Sequence, residues 1–375
     1  MRIVHIVVGK VNPESMNGVS RAVHAMATWQ QRQGHCVEVW GLADSTSLTP
    51  RHREYTMRVF KRSRSRFALK PDLRSAVDQL AAGDWIQFHS GFTPEFIAIS
   101  QQLRMRGIAY GITPHGGYHD GVLKKNRLKK SLYFALWEKK FLGGAAWAHA
   151  MGPREVEDLH KCVPGIRAVI IPNGQETIPI PQPLADPGIE RPLIGYCGRF
   201  SMRVKGLDLL IRGFSDYKTQ GGRGHLWLIG DGEDRAALEK MASESGIPGS
   251  ISFLGAKFGH EKNRLIAGMD AFIHSSRWDA LPTACLEAAA LGCPLLVSSH
   301  INLAEYVRRA HAGLLLDEIS RDGVARALAR TDDLYRAGTL RELGENARRM
   351  IEREFSWEEN AARFVAAIEG YVAFA

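Results

Sequence analysis

Short apolar runs alternate with amphipathic stretches along almost the whole chain, and the alternation is interrupted once. Between positions 172 and 192 stand Pro172, Pro179, Pro181, Pro183, Pro187 and Pro192, a density that neither a helix nor an internal strand tolerates and that reads as a linker. Before it lie "RIVHIVV", "HCVEVWGL", "WIQFHS", "AYGITPHG", "AWAHAMG" and "AVIIPNG"; after it lie "PLIGYCG", "HLWLIGDG", "ISFLG", "AFIHSS", "PLLVSS" and "AGLLLD". Helical patterns such as "GVSRAVHAMATWQQRQG" and "TACLEAAALG" separate many of these runs. Such alternation predicts parallel sheets with helices on both faces. At 375 residues the chain suits two domains of middling size. We therefore expect an α/β protein of two doubly wound domains, residues 1–175 and 190–356, facing each other across a cleft. Such sheets bind ligands at the carboxyl ends of their strands, so residues just after strands are the candidates.

Charge divides the chain unevenly. Residues 1–180 hold 25 Lys and Arg against 14 Asp and Glu, and the remainder holds 24 against 26, which accounts for the net +9. Two clusters dominate the basic half, "RVFKRSRSRFALK" (58–70) and "LKKNRLKKSLYFALWEKK" (123–140). Each reads equally as a solvated face or as a surface for an anionic partner, phosphate-headed lipid or nucleic acid. The second mixes cations with Leu, Tyr, Phe and Trp, the composition of a segment resting on an anionic bilayer. Five scattered cysteines with no C-x-x-C pair favour reduced thiols in a cytoplasmic protein over disulfides or zinc. No run has the length of a membrane span, and the N-terminus reads as a first strand and not as a signal peptide.

Three motifs in the second half carry chemistry. In "GYCGRFSMRVKGLDLLIRGF" a strand ends at Gly198, and Arg199 and Lys205 flank the loop before a helix. Two cations beside a helix N-terminus make an anion site, because the orphan N–H groups and the dipole add to the side-chain charge. In "LWLIGDGEDR" the turn Gly230-Asp231-Gly232 allows close backbone approach, a weak signal alone. In "WDALPTACLEAAALG" Asp279 lies in a loop, Leu281, Pro282 and Thr283 lie at a helix start, and Glu287 lies one turn on among small apolar neighbours. Catalytic carboxylates of a glycoside hydrolase need a set separation across a sugar, which this spacing meets only by accident. Two carboxylates accepting hydrogen bonds from hydroxyl groups fit it better.

Taken in order, these motifs resemble the retaining glycosyltransferases of family 4, which have the GT-B fold of two Rossmann-like domains. The likeness extends to "NGVSRAVHAMATWQQRQGHCVEV", to "IPNG" at 171–174 and to the closing "FSWEENAARFVAAIEGYV", a helix (about 357–375) that in this family packs back on the first domain. The resemblance implies that Arg199 and Lys205 hold the donor diphosphate, Glu287 the ribose hydroxyls and Asp279 the donor sugar, with N–H groups near Leu281–Thr283 completing the cradle. It places Ser252–Phe258, with Leu254 and Gly255, against the base. It sets His115 of "TPHGG" near the reacting carbon and Gly18 beside the phosphates. Two positions depart from the family pattern: Asp279 stands where glutamate is usual, and Asn17 replaces the first glycine of a pair. No cofactor and no divalent metal is expected, since two cations meet the phosphates and no acidic D-x-D site stands out.

The function implied is transfer of a hexose, with retention, from a nucleotide-diphosphate sugar to a glycan or lipid-linked acceptor in envelope or exopolysaccharide assembly. A front-face mechanism needs no protein nucleophile, as a leaving phosphate oxygen takes the acceptor's proton. UDP-sugars and GDP-mannose both remain open, with UDP the commoner donor. The expected place is cytoplasmic, with peripheral contact to an anionic membrane through the basic half. The alternatives are a sugar-nucleotide epimerase of the same fold, which would lack this motif combination, and a nucleic-acid-binding protein using the basic half, for which no recognised motif appears. A dinucleotide dehydrogenase is disfavoured because no G-x-G-x-x-G follows the first strand.

Overall fold

The structure, a computed structural model, describes residues 1–9, 18–45, 53–124, 126–184 and 188–372. Asn17, Lys125 and Pro187 of the sequence reading lie outside the described residues. The chain forms two compact units, Met1–Gly174 with Trp357–Ala375, and Gln175–Ser356.

The first unit is built on a seven-stranded parallel sheet: β1 (Arg2–Val8), β2 (Cys36–Ala43), β3 (Thr56–Lys61), β4 (Trp85–His89), β5 (Tyr110–Thr113), β6 (Trp147–Ala150) and β7 (Ala168–Ile170). Its spatial order is β3-β2-β1-β4-β5-β6-β7. All five residues of β4 are buried, as a parallel strand covered on both faces requires. One core joins Val4, Ile6, Trp40, Phe88, Phe96 and Phe141. Another joins Ile3, Trp85 and Trp147 to Trp357, Phe364 and Ile368 of the last helix, Trp357–Val372. β3 was hidden in the first basic cluster. It is an edge strand, where charged side chains are at home, and the Arg58 guanidinium lies over the Phe60 ring at 4.9 Å.

The second unit repeats the pattern with six parallel strands: β8 (Leu193–Cys197), β9 (His225–Ile229), β10 (Ile251–Gly255), β11 (Ala271–His274), β12 (Leu295–Ser298) and β13 (Gly313–Leu316). Their order is β10-β9-β8-β11-β12-β13. Tyr196, Phe200, Phe214, Leu226, Leu228 and Ile273 fill its core. Both sheets reverse their winding at one place, between β1 and β4 and between β8 and β11. At such a switch point adjacent crossovers leave to opposite sides and open a crevice at the strand ends.

Candidate active site

In the second unit the crevice is assembled from the segments that follow β8 and β11. After β8 come Arg199, a short helix Met202–Lys205, Gly206 and the helix Leu207–Thr219. Gly206 has φ of 65°, and a Cβ there would lie 2.3 Å from the Ser275 carbonyl oxygen, so only glycine lets the two segments meet. Ser275 Oγ lies 3.2 Å from the Lys205 carbonyl oxygen and 3.1 Å from that of Gly206. Arg277 completes the seam. Its guanidinium donates bidentately to Asp208 at 2.8 and 2.7 Å, and its backbone N–H donates to Val204 O at 2.9 Å.

This seam places Lys205 Nζ on Asp279 Oδ2 in an ion pair. His274 Nε2, at the end of β11, lies 3.2 Å from the same oxygen. Burial would raise the Asp279 carboxyl, but the Lys205 ammonium and the His274 hydrogen bond outweigh it and hold the group well below the carboxylate range. Burial pushes His274 down, more than its bond to Asp279 pulls it up. The ring is then neutral, Nε2–H donates to Asp279, and the buried Nδ1 has no partner among the described residues.

Glu287 sits in the helix Thr283–Ala290, whose residues 285–290 are all buried. A carboxylate in such a helix needs a counter-charge. Lys262, from the helix Gly259–Ala267, supplies it at 2.8 Å. Pro282, expected in the first turn, is instead the N-cap, and no side chain among the described residues caps this helix. The first-turn N–H groups at Thr283 are therefore left to an anion or to water, while Leu281 is buried. Arg199 differs from Lys205. Its side chain is exposed and has no hydrogen bond or ion pair among the described residues, and only its carbonyl is engaged, by Tyr196 Oη–H at 3.0 Å.

Two expectations change. A Cβ on Gly230 would lie 1.9 Å from the Gly198 carbonyl oxygen; the close approach this glycine permits is that of the chain's own β8 loop. Asp231 is exposed, accepts the Gly232 N–H at 2.7 Å and pairs with Arg235 at 3.4 Å. Ser252 lies at the wrong end of β10, its Oγ 2.8 Å from Nε2 of His225, the first residue of β9. Of the stretch 252–258, only Gly255 onward follows the strand's carboxyl end, with Leu254 part-buried just before it.

In the first unit, Gly18 opens the helix Gly18–Arg32. His115 follows β5 in left-handed conformation, φ 51°, and its Nε2 is 3.0 Å from His89 Nδ1. The next N–H, of Gly116, donates to buried Glu155 at 2.5 Å, and Met151 N–H donates to the other oxygen at 2.7 Å. Burial, assisted by His149, holds the His115 pKa down to about 3. Burial lifts Glu155 to about 7 against those two hydrogen bonds. Among the described residues no group of three or more His, Cys, Asp and Glu could hold a metal ion.

Family models match both halves of the chain, Glycosyltransferase Family 4 over residues 16–177 and Glycosyl transferases group 1 over residues 185–350. The chain is a family 4 glycosyltransferase. It is 29% identical over 174 residues to the lipopolysaccharide core biosynthesis glycosyltransferase LpsE of Rhizobium meliloti, a match covering 46% of this chain and 48% of LpsE. It is 26% identical over 305 residues to the putative glycosyltransferase EpsF of Bacillus subtilis, covering 75% of this chain and 76% of EpsF. The Anabaena protein Alr3699/HepE, solved in complex with UDP and glucose, superposes with a TM-score of 0.74 at 16% identity, covering 99% of this chain and 100% of that one. Its two Rossmann-like units give this glycosyltransferase the GT-B fold. Sequence reasoning missed four residues of its second-unit site: His274, Lys262, Asp208 and Arg277. The one signal for them was position, since His274 and Arg277 flank the end of β11.

Proposed function

We propose that this glycosyltransferase moves a hexose from a nucleotide-diphosphate sugar, a UDP-sugar or GDP-mannose, to a saccharide or lipid-linked acceptor, with retention. The observation that carries this is the meeting of Lys205, Asp279 and His274 at the switch point of the second unit. In the reaction the anomeric C–O bond to the diphosphate breaks and a bond to the acceptor oxygen forms. The acceptor's proton passes to a leaving phosphate oxygen. Charge growing on that diphosphate is met by Arg199, Lys205 and the uncapped N–H groups at Thr283, the electrostatic stabilisation that dominates such reactions. Asp279 and Glu287 accept hydrogen bonds from the sugar and the ribose. HepE was solved with UDP, which favours UDP over GDP. LpsE is named for lipopolysaccharide core biosynthesis, which favours envelope polysaccharide assembly.

Calorimetric titration of UDP, GDP and ADP into wild-type protein and Glu287→Ala tests the donor site. One nucleotide is expected to bind wild type and to lose about a hundredfold in affinity on the variant, the worth of charged hydrogen bonds to two hydroxyls. Failure of all three to bind wild type would overturn the reading.

The acceptor side draws support from the second basic cluster. Leu128, Leu132 and Leu136 are 88, 62 and 48% exposed along one helical run, and Arg127, Lys129, Lys139 and Lys140 are exposed around them. Tyr133, Phe134 and Trp137 turn inward onto the core, so they are not free to stack on bases. Leucines framed by cations fit an anionic bilayer surface better than a nucleic acid. Among the described residues no helix is long and apolar enough to cross a membrane. In vesicle flotation, recovery with phosphatidylglycerol is expected to exceed that with phosphatidylcholine severalfold and to fall with Leu128→Ser/Leu132→Ser. Equal recovery on both lipids would remove the electrostatic argument.

A further inference from the structure

Three imidazoles stand in a hydrogen-bonded file across the switch point of the first unit. His5, on β1, has Nε2 at 2.7 Å from the Gln30 side-chain amide and Nδ1 at 2.9 Å from His89 Nε2. His89, at the end of β4, continues from Nδ1 to His115 Nε2 at 3.0 Å. Gln30, His5 and His89 are buried, and His115 is half-buried. In a file of neutral imidazoles each ring donates from one nitrogen and accepts at the other, so fixing one tautomer fixes the next. Burial keeps the rings neutral: it lowers His5 to about 4, His115 to about 3, and His89 well below its ordinary value.

The direction of the file is decided at Gln30. With its oxygen on His5, its NH2 group is buried without a partner among the described residues. A half-turn of the amide leaves its shape unchanged. It puts an N–H on His5 Nε2 and leaves a carbonyl unpaired, which folded proteins tolerate better than an orphan N–H. His5 then donates from Nδ1 to His89, His89 donates from Nδ1 to His115, and His115 carries its proton on Nδ1. An amide neither takes up nor releases a proton, so the file ends blind. It sets tautomers and conducts no net proton.

We infer that Gln30, acting through His5 and His89, is a positioning residue that holds His115 as the Nδ1–H tautomer, with Nε2 consumed inside the protein and Nδ1–H as the donor left to a substrate. Where His115 faces the donor sugar, as the family resemblance implies, the ring is a hydrogen-bond donor to a sugar oxygen and not a general base. The tautomer claim stands or falls without that reading. His149 provides an internal standard. Its Nε2 lies 2.7 Å from the Ile171 carbonyl oxygen, which only accepts, and its Nδ1 lies 3.1 Å from Thr113 Oγ1. It is therefore Nε2–H and owes nothing to Gln30.

Long-range nitrogen–proton NMR on the full chain labelled with 15N-histidine separates the tautomers, with assignment by single substitutions. Wild type is expected to show Nδ1–H for His5, His89 and His115 and Nε2–H for His149. In Gln30→Leu, and independently in His89→Phe, His115 is expected to become a mixture of tautomers while His149 does not move. Circular dichroism identifies which variants are folded, and His89→Phe decides if Gln30→Leu is not. An Nε2–H His115 in wild type, or an unchanged His115 in a folded variant, would overturn the inference. If nucleotide binding fails while the tautomers behave as stated, the functional reading falls and the relay remains.

Discussion

Lys205→Ala is expected to lower the turnover of glycosyl transfer by about a thousandfold, and Arg199→Ala by about a hundredfold, the range seen when a group that meets developing negative charge is removed. The two cations should differ in what else they cost. Arg199 is exposed and has no side-chain partner among the described residues, so its loss should leave stability within about 0.5 kcal/mol. Lys205 pairs with an Asp279 side chain that is only 17% exposed. Its loss leaves a poorly solvated carboxylate with His274 alone, which should cost about 3 kcal/mol. That same carboxylate would then repel the incoming diphosphate. Lys205→Met with Asp279→Asn should therefore recover stability relative to Lys205→Ala but not turnover. Steady-state kinetics with denaturant unfolding reads both quantities. Near-normal turnover in either single variant would show that the diphosphate is held elsewhere.

The parts of this site legible in the sequence are those whose signal is local. A strand, a glycine turn and a helix start stand within a few residues of one another, so Lys205, Asp279, Thr283 and Glu287 were exposed to reading by position alone. What could not be read is who meets whom. Lys205 and Asp279 were assigned to separate parts of one ligand, yet in the structure they hold each other. Lys262 belongs to none of the motifs, and only the packing of its helix sets it on Glu287. Gly230 looked like room for a ligand, and the room is taken by the Gly198 backbone. The histidine file has no local signature, because His5, Gln30 and His89 come from three elements and His115 from the turn after a fourth. β3 was missed for another reason: on an edge strand, charge hides the alternation of Met57, Val59 and their neighbours.

Stability should fall as the medium is acidified from pH 6.5 toward pH 4, and the sign follows from counting protons. In the first unit five histidines, His5, His35, His89, His115 and His149, are held below their ordinary value, mainly by burial. For each, the unfolded chain binds a proton that the folded chain refuses. Their contribution is complete above the unfolded pKa of about 6.5 and is lost as pH drops toward the folded values, about 4 for His5 and His149. Two carboxyls oppose them. Burial raises Glu138, and raises Glu155 to about 7, so in the same window the folded state holds protons there that the unfolded state has released. Acidification therefore favours folding at these two sites. Five against two leaves the histidines in command, and discounting His35 and His115, which are only part-buried, still leaves the balance on the same side. A net uptake of about two protons on unfolding corresponds to roughly 3 kcal/mol lost per pH unit in mid-window. Denaturant unfolding at pH 7.5, 6.0 and 5.0 should show this slope, with little change between pH 7.5 and 8.5. Stability that holds or rises down to pH 5.0 would overturn this proton balance between the buried imidazoles and the two carboxyls.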